Sequence, residues 1–198
     1  MDISNMLKSL KEKRENTEQL PDLEISKDEV LFANEGSTSK FYQEFWHNLN
    51  LIFNKIKHDI FLGDTAYPYS KINSSDELIK KLRTKGIHFE VYFPPSKSYI
   101  TLGIHFENAN RDSNILYTQK IRKNYENELQ KLFDKKVRFE IWGKNWAKID
   151  IFSSKNITNM NDLKNQELQE WTVNSLIKFY EFFIENEKIR KELEEMIK

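Results

Sequence analysis

The chain has 198 residues, 31 of them basic and 31 acidic, so its formal net charge is zero. A neutral chain has no global field that would attract nucleic acid or an anionic membrane. It contains no cysteine, which excludes disulfides, a thiolate nucleophile and cysteine-ligated zinc.

The N-terminal sequence MDISNMLKSLKEKRE is too charged for a secretory signal peptide. No apolar run approaches the ~20 residues that a membrane-spanning helix needs. Together with the lack of cysteine, these features predict a cytoplasmic protein that does not contact a membrane. The chain is 13% aromatic, a content typical of a folded core.

Two regions are predicted, an N-terminal arm at 1–36 and a single domain at 37–198. The arm contains a short charged helical stretch at 5–18 and a small apolar segment at 30–32. Because this is too little apolar surface for an independent core, the arm is expected to dock on the domain or on a partner.

The domain is predicted to begin with two helices. Ser39 is a suitable N-cap for a helix at 41–59, whose apolar residues recur at spacings of three and four. A loop follows. Ser74 and Glu77 then fit a capping box that opens a short helix at 76–85.

A change of hydrophobic period from 3.6 to 2 follows the second helix. The segments Ile87–Phe93 and Tyr99–Glu107 alternate apolar and polar residues around a short turn, which predicts a β-hairpin. The next segment, 114–133, has helical spacing, and either Asp112 or Ser113 is suitable as its cap.

The last part of the chain repeats this pattern. Residues 137–142 and 146–152 alternate around a compact turn at Gly143, which predicts a second hairpin. A closing helix is predicted from about 163 to 197. Its final stretch, 185–198, is mostly charged, so its end is expected to project into solvent or to meet a partner.

These elements predict an α+β fold with an antiparallel sheet of about four strands. The sheet is expected to be a meander of the two hairpins, packed on amphipathic helices that include a long C-terminal helix. One face of the sheet is apolar and rests on the helices. The other face is polar, and we expect it to be open or partly covered.

The first hairpin places four potential metal ligands on the polar face. His88 and Glu90 alternate on one strand, and His105 and Glu107 alternate on the next. Imidazole and carboxylate groups both bind divalent metals. Their spacing matches no fixed ligand motif, so the favoured explanation is cross-strand pairing on a solvated face, worth ~0.2–1 kcal/mol per pair. No cofactor is therefore predicted.

The second hairpin combines aromatic and basic side chains. Trp142 and Trp146 flank Lys144, and Lys148 follows. Such a hairpin is suited to stack on single-stranded nucleic acid or to pack on a partner protein. The alternative is that one tryptophan covers the sheet edge. The predicted binding surface consists of Trp142, Lys144, Trp146, Lys148, Arg138 and Tyr92.

Motifs for catalysis are missing from the sequence. Its glycines are isolated, so there is no glycine-rich phosphate loop, and no serine lies in a Gly-x-Ser-x-Gly elbow. A magnesium nuclease of the restriction type needs an acidic residue two positions before a lysine. Lys148 and Asp150 have the reverse order. The sequence therefore favours a non-enzymatic function.

A family resemblance rests on aromatic residues along the domain. They are Phe45-Trp46, Ile141-Trp142-Gly143 with Trp146, and Trp171, together with the two strands of the first hairpin. From Phe41 onward the chain resembles the "domain of unknown function 4268" family of bacteria and archaea. Members are often found behind a restriction-endonuclease-like nuclease domain or among defence genes.

The resemblance implies an accessory module of an antiviral defence or restriction system. Only about forty residues precede the resembling region, too few for a nuclease domain. Cutting activity is therefore expected to be absent or to come from another chain. The family offers no catalytic residues that could be transferred to this sequence.

Three hypotheses for function follow. The leading one is a non-enzymatic module that binds a protein partner or nucleic acid through the polar face, the second hairpin and the charged C-terminal helix. The second is a metal-dependent nuclease or phosphoesterase that uses the two His-x-Glu pairs. The third is a self-associating structural protein, a homo-oligomer formed through the C-terminal helix.

Overall fold

The structure is a computed structural model that describes residues 20–25, 38–63, 65–93, 99–133, 137–154, 157 and 160–198. The strands in these ranges are β1 (Glu24–Ile25), β2 (Ile60–Leu62), β3 (Tyr69–Ser74), β4 (Ile87–Tyr92), β5 (Thr101–Phe106), β6 (Arg138–Trp142) and β7 (Trp146–Phe152). The α-helices are α1 (Thr38–Ile56), α2 (Glu77–Thr84), α3 (Arg111–Leu132), α4 (Gln166–Tyr180) and α5 (Glu187–Met196). A 3-10 helix (Met160–Lys164) precedes α4, and a π-helical turn (Glu181–Glu185) follows it.

The described strands form one sheet in the order β1-β6-β7-β5-β4-β3-β2. Strands β2 to β7 pair antiparallel, whereas the two-residue strand β1 pairs parallel with β6. The α+β class and both predicted hairpins, β4–β5 and β6–β7, are confirmed. The predicted meander is wrong, because β5 pairs with β7 and not with β6. Helix α3 carries the chain past the position of β7, so the second hairpin joins the first through its second strand.

Two antiparallel strands, β2 and β3, lie where the sequence predicted a loop. Strand β3 pairs with β4 on one side and with β2 on the other. The only aliphatic side chain in β3 is that of Ile72, so its alternation is weak. The sheet therefore extends further than the predicted four strands.

The hydrophobic core lies between the helices and one face of the sheet. Phe106 of β5 packs against Tyr117 of α3, with ring centroids 6.4 Å apart. Phe89 of β4 packs against Phe183 of the π-helical turn at 6.0 Å. Burying one such large apolar side chain contributes about 1.5–3 kcal/mol. The buried residues on this face of the sheet include Ile87, Phe89, Val91, Leu102, Ile104, Phe106, Ala147, Ile149 and Ile151.

The helix caps differ from those predicted. Helix α1 begins at Thr38, so Ser39 lies inside it. The N-cap of α2 is Asp76, whose carboxylate accepts a hydrogen bond from the second helical N–H, and Ser74 only supports that cap. Asn110 caps α3, ahead of both predicted positions. Several Asx and Ser residues compete at each start, and sequence alone does not rank them.

The predicted C-terminal helix is split into two. The π-helical turn ends at Asn186, whose side chain caps α5. Helix α5 then packs on the domain, because Ile189 and Leu193 are buried and Arg190 pairs with Asp76 at 2.8 Å. The expectation that this end projects into solvent is wrong. Self-association through this helix remains a prediction.

Of the predicted N-terminal arm, the structure describes only residues 20–25. The predicted helical stretch at 5–18 and the apolar segment at 30–32 lie outside the described residues. Division of the chain into an arm and a domain remains a prediction. No helix among the described residues is long and apolar enough to cross a membrane.

Candidate metal centre

The polar face of the sheet is buried, although the sequence predicted an open or partly covered surface. His88 is 6% exposed, Glu90 4% and His105 2%. Charged and imidazole side chains are rarely buried unless something pairs with them. Alternation along a strand shows which residues share a face, but it does not show whether that face meets water.

Strands β4 and β5 bring the four predicted metal ligands together. His88 lies directly opposite His105 in the antiparallel register, and Glu90 follows on the same face. Glu107 comes just after β5 and keeps the register, because its backbone N–H donates to the carbonyl of Gly86 at 2.7 Å. Gly86 has a φ of +71°, and a Cβ there would lie 2.7 Å from the Glu107 carbonyl. Glycine at this turn therefore positions Glu107.

The four side chains alternate around a ring. The Nε2 atom of His88 lies 3.3 Å from Glu90 Oε2 and 3.7 Å from Glu107 Oε2. The Nδ1 atom of His105 lies 3.7 Å from Glu90 Oε1 and 3.7 Å from Glu107 Oε1. Each imidazole nitrogen thus faces both carboxylates. One ligand atom from each residue lies within 4.8 Å of all the others.

These separations are close to those that a metal ion requires. Four ligands at ~2.0–2.1 Å in a tetrahedron lie about 3.3 Å from one another. The ring distances of 3.3–3.7 Å match or slightly exceed that value. The distances to His88 and to His105 run to different oxygens of each carboxylate, and one ligand atom per residue lies within 4.8 Å of the others, so the side chains would have to move closer around an ion.

The imidazoles lack well-formed hydrogen bonds. Nε2 of His88 and both ring nitrogens of His105 are buried without a hydrogen bond in the described structure. The carboxylate oxygens nearby lie beyond the usual 2.7–3.2 Å range, so these contacts are ion-pair approaches and not good hydrogen bonds. Such atoms cost about 1–3 kcal/mol each when they are left unsatisfied. A cation bound in the ring would satisfy Nε2 of His88 and Nδ1 of His105, the two nitrogens that face the carboxylates.

The protonation states suit metal ligation. Burial lowers the pKa of His88 below its ordinary 6.5, and the neighbouring carboxylates only partly offset this effect. His88 is therefore neutral at pH 7, and one of its tautomers presents a lone pair at Nε2. Burial raises the pKa of Glu107, but the contact with His105 and the positive charges nearby lower it to about 2 overall. Glu107 is therefore ionised at neutral pH.

Lys71 completes the cluster, and the sequence analysis missed it. It lies on β3 opposite Glu90, with Nζ 3.8 Å from Glu90 Oε2 and 3.7 Å from Glu107 Oε2. The lysine side chain is 33% exposed and that of Glu107 19%, so solvent reaches the cluster from the β3 side. The signal that could have found Lys71 is its alternation with Ser70 and Ile72.

A second cluster of charges lies on the same face, and its side chains pair with one another. Arg138 donates two hydrogen bonds to Asp150, at 2.9 Å and 2.8 Å. Lys148 Nζ lies 3.0 Å from Asp150 and 3.5 Å from Glu140. Two cations thus offset two carboxylates, which is a structural ion-pair network. In the His/Glu cluster, by contrast, Lys71 is the one cationic side chain that contacts the two carboxylates among the described residues.

The residues predicted for nucleic-acid or protein binding do not form an exposed surface. Trp142 is only 6% exposed, and its ring contacts His105 at 5.2 Å and Trp146 at 5.2 Å. Lys148 and Tyr92 are also buried, and Arg138 and Trp146 are half-buried. A binding role for these residues remains a prediction. Trp142 instead forms a wall of the His/Glu cluster.

Comparisons with known proteins give no relative: no family model, no curated protein and no solved structure matches the chain. The resemblance to the domain of unknown function 4268 family therefore remains a prediction. Function has to be argued from the site itself.

Proposed function

We propose that this protein binds one divalent transition-metal ion through two imidazoles and two carboxylates, those of His88, Glu90, His105 and Glu107. The observation that carries the proposal is the alternating ring with separations of 3.3–3.7 Å. The buried imidazole nitrogens without hydrogen bonds point to the same ligand. An ordinary cross-strand ion-pair cluster would instead leave its donors and acceptors matched.

The donor set selects among metals. Imidazole nitrogen suits zinc, iron, copper and nickel, whereas carboxylate oxygen suits magnesium, calcium and manganese. A mixed set of two nitrogens and two oxygens is best matched by manganese, iron, cobalt or zinc. The four protein ligands would complete the tetrahedral coordination sphere of zinc. A six-coordinate ion would keep two positions for water or a substrate oxygen.

Metal binding would also stabilise the fold. A ligand that binds only the folded state at 100 times its Kd adds about 2.7 kcal/mol to the free energy of unfolding. The cation would bind the carboxylate oxygens and satisfy Nε2 of His88 and Nδ1 of His105. Strands β4 and β5, which carry the ligands, lie in the middle of the sheet. The stabilisation should therefore appear in global unfolding.

Calorimetric titration of metal-free protein with Mn²⁺ and Zn²⁺ tests the proposal. We expect one site per chain, and we expect Glu90→Gln and His105→Gln each to weaken binding by more than ~100-fold, above the 10–100-fold typical of outer-shell changes. His47→Gln and His58→Gln are matched controls, because both histidines are exposed on or just after α1. Equal affinity in Glu90→Gln and His47→Gln would contradict the proposed ligands.

Hydrolysis of a phosphoester is the activity that this centre favours. The observation that favours it is the position of Lys71. Its ammonium stands at the solvent-accessible side of the cluster, where an anionic substrate would approach. A metal ion held by His88, Glu90, His105 and Glu107 would lower the pKa of a bound water and so supply the nucleophile for attack on phosphorus. A new P–O bond forms, the ester P–O bond breaks, and the departing oxygen takes a proton from solvent.

Turnover of bis(p-nitrophenyl) phosphate with Mn²⁺ tests this activity. We expect turnover to depend on the metal, to disappear in Glu90→Gln and to persist in His47→Gln. Turnover that is equal in all three proteins would show that it does not come from this centre.

A further inference from the structure

Two aromatic rings that solvent reaches lie beside the His/Glu cluster. Tyr67 is 53% exposed and Tyr69 is 37% exposed. Their rings stack, with centroids 5.6 Å apart and planes inclined by 13°. We call this pair the tyrosine platform. When two rings stack, the outer face of each ring can stack on a third ring.

The backbone beneath the tyrosine platform is held in place by hydrogen bonds and by the sheet. The indole Nε1 of Trp46, which is fully buried, donates to the carbonyl of Tyr67 at 3.0 Å. The N–H of Tyr67 donates to Oγ1 of Thr65 at 3.0 Å. Tyr69 belongs to β3 and pairs with β4 in the sheet. Because the platform is ordered before a ligand arrives, binding to it costs less conformational entropy.

The tyrosine platform and the metal ligands are arranged in a row. Tyr69 and Lys71 are two residues apart on β3, so they point to the same face about 6.7 Å apart. Lys71 in turn lies 3.7 Å from Glu107, the most exposed of the four proposed ligands. An aromatic surface, a cation and a metal site thus follow one another along the accessible edge of the polar face.

We infer that this row binds a nucleotide unit, with its base on the tyrosine platform and its phosphate at Lys71 and the metal. Bases stack on aromatic side chains irrespective of sequence, and phosphate oxygens bind both ammonium groups and divalent ions. One ribose separates base and phosphate, as one two-residue step separates the platform from Lys71. The phosphate half of this inference rests on the proposed metal binding, and a free nucleotide and an unpaired strand share the chemistry.

Binding of 5′-AMP and of a single-stranded hexathymidylate to the full chain, with and without Mn²⁺, tests the inference. Tyr67→Ala removes the outer ring, and Tyr67→Phe is the matched control that keeps it. The titration with Mn²⁺ alone is carried out first for each protein. Tyr67 is well exposed and makes no side-chain hydrogen bond in the described structure, so both variants should fold.

We expect Mn²⁺ to strengthen binding of at least one probe, and Tyr67→Ala to weaken it by roughly 5-fold or more, the range for loss of one stacked base. Tyr67→Phe should remain within about two-fold of the wild type, by the same stacking argument. Tighter binding of the hexamer than of 5′-AMP would identify an unpaired strand as the ligand. Equal affinity for the two probes would identify a free nucleotide as the ligand.

Two results would overturn the inference. The first is Mn²⁺ uptake without binding of either probe at millimolar concentration, which leaves the metal proposal standing. The second is probe binding that Tyr67→Ala does not change. Failure of Mn²⁺ uptake would be seen before any nucleotide is added. It would overturn the proposed function and, with it, the phosphate half of the inference. Binding of a probe without metal that depends on Tyr67 would support the stacking of the base on the tyrosine platform.

Discussion

Replacement of Gly103 by alanine should destabilise the sheet strongly. Gly103 lies in β5 between Glu90 of β4 and Asp150 of β7. A Cβ at this position would lie 2.0 Å from the carbonyl oxygen of Ile149 and 2.7 Å from the Cα of Asp150. These atoms belong to the backbone, so no side-chain rotation relieves the contact. The strands would have to separate by about 1 Å to restore a normal distance.

The expected loss is at the upper end of the range for overpacking. Such changes typically cost 1–3 kcal/mol, and we expect about 3 kcal/mol for Gly103→Ala because only backbone movement can accommodate it. For a domain of this size, that loss lowers Tm by about 6–12 °C. The same movement displaces Glu90 and His105, so metal affinity should fall as well.

Thermal and urea denaturation followed by circular dichroism measure this loss. Gly63→Ala is the matched control, because the nearest atom to its new Cβ would be the flexible amide nitrogen of Asn73, at 3.3 Å, and the next contacts, at 3.8 Å and 4.0 Å, are ordinary van der Waals distances. We expect the control to remain within about 1 kcal/mol of the wild type. If Gly103→Ala were as stable as Gly63→Ala, β5 and β7 could not pack as closely as described.

Further predictions concern the charged groups. Asp76→Ala removes the N-cap of α2 and its pair with Arg190, and chemical denaturation should show a loss of about 1–2 kcal/mol. Burial raises the pKa of Asp76, but the bonds from Arg190 and the backbone lower it overall below 3.8. The contribution of the Asp76 carboxylate to the free energy of unfolding is therefore complete above pH 3.8, and it is lost as the pH falls through the folded-state pKa. The wild type and Asp76→Asn should thus converge in stability at low pH. Arg138→Ala removes the bidentate partner of Asp150 but leaves Lys148 at 3.0 Å, so it should cost about 1.5–3 kcal/mol; a loss below 1 kcal/mol in urea denaturation would contradict the ion-pair network. Tyr125→Phe removes the hydrogen bond that the Tyr125 hydroxyl of α3 donates to a carboxylate of α5. It should lower the free energy of unfolding by about 1 kcal/mol, with no effect on metal affinity.

The strands of the two hairpins could be predicted because their alternation is strong. Ile87, Phe89 and Val91 lie on one face, so His88 and Glu90 had to lie on the other. The same logic placed the second pair of ligands on the same face. Residue types and strand period thus sufficed to name all four proposed metal ligands.

Register and coverage could not be predicted, because both depend on the rest of the fold. The opposition of His88 and His105 depends on how the β4–β5 pair is aligned, which Gly86 helps to fix through its contact with Glu107. The burial of Trp142 depends on β7 pairing with β5, which the predicted meander excluded. Lys71 was missed because β3 has too little apolar alternation to be recognised as a strand.

Crystals grown with Mn²⁺ or Zn²⁺ provide the most direct test of the metal site, through anomalous diffraction at the metal's absorption edge. The account predicts one anomalous peak per chain, between Nε2 of His88 and Nδ1 of His105, at bonding distance from Glu90 and Glu107. The peak should be lost in crystals of Glu90→Gln. Diffraction from soaked wild-type crystals with no peak inside this ring, or with the metal elsewhere, would contradict the proposed function.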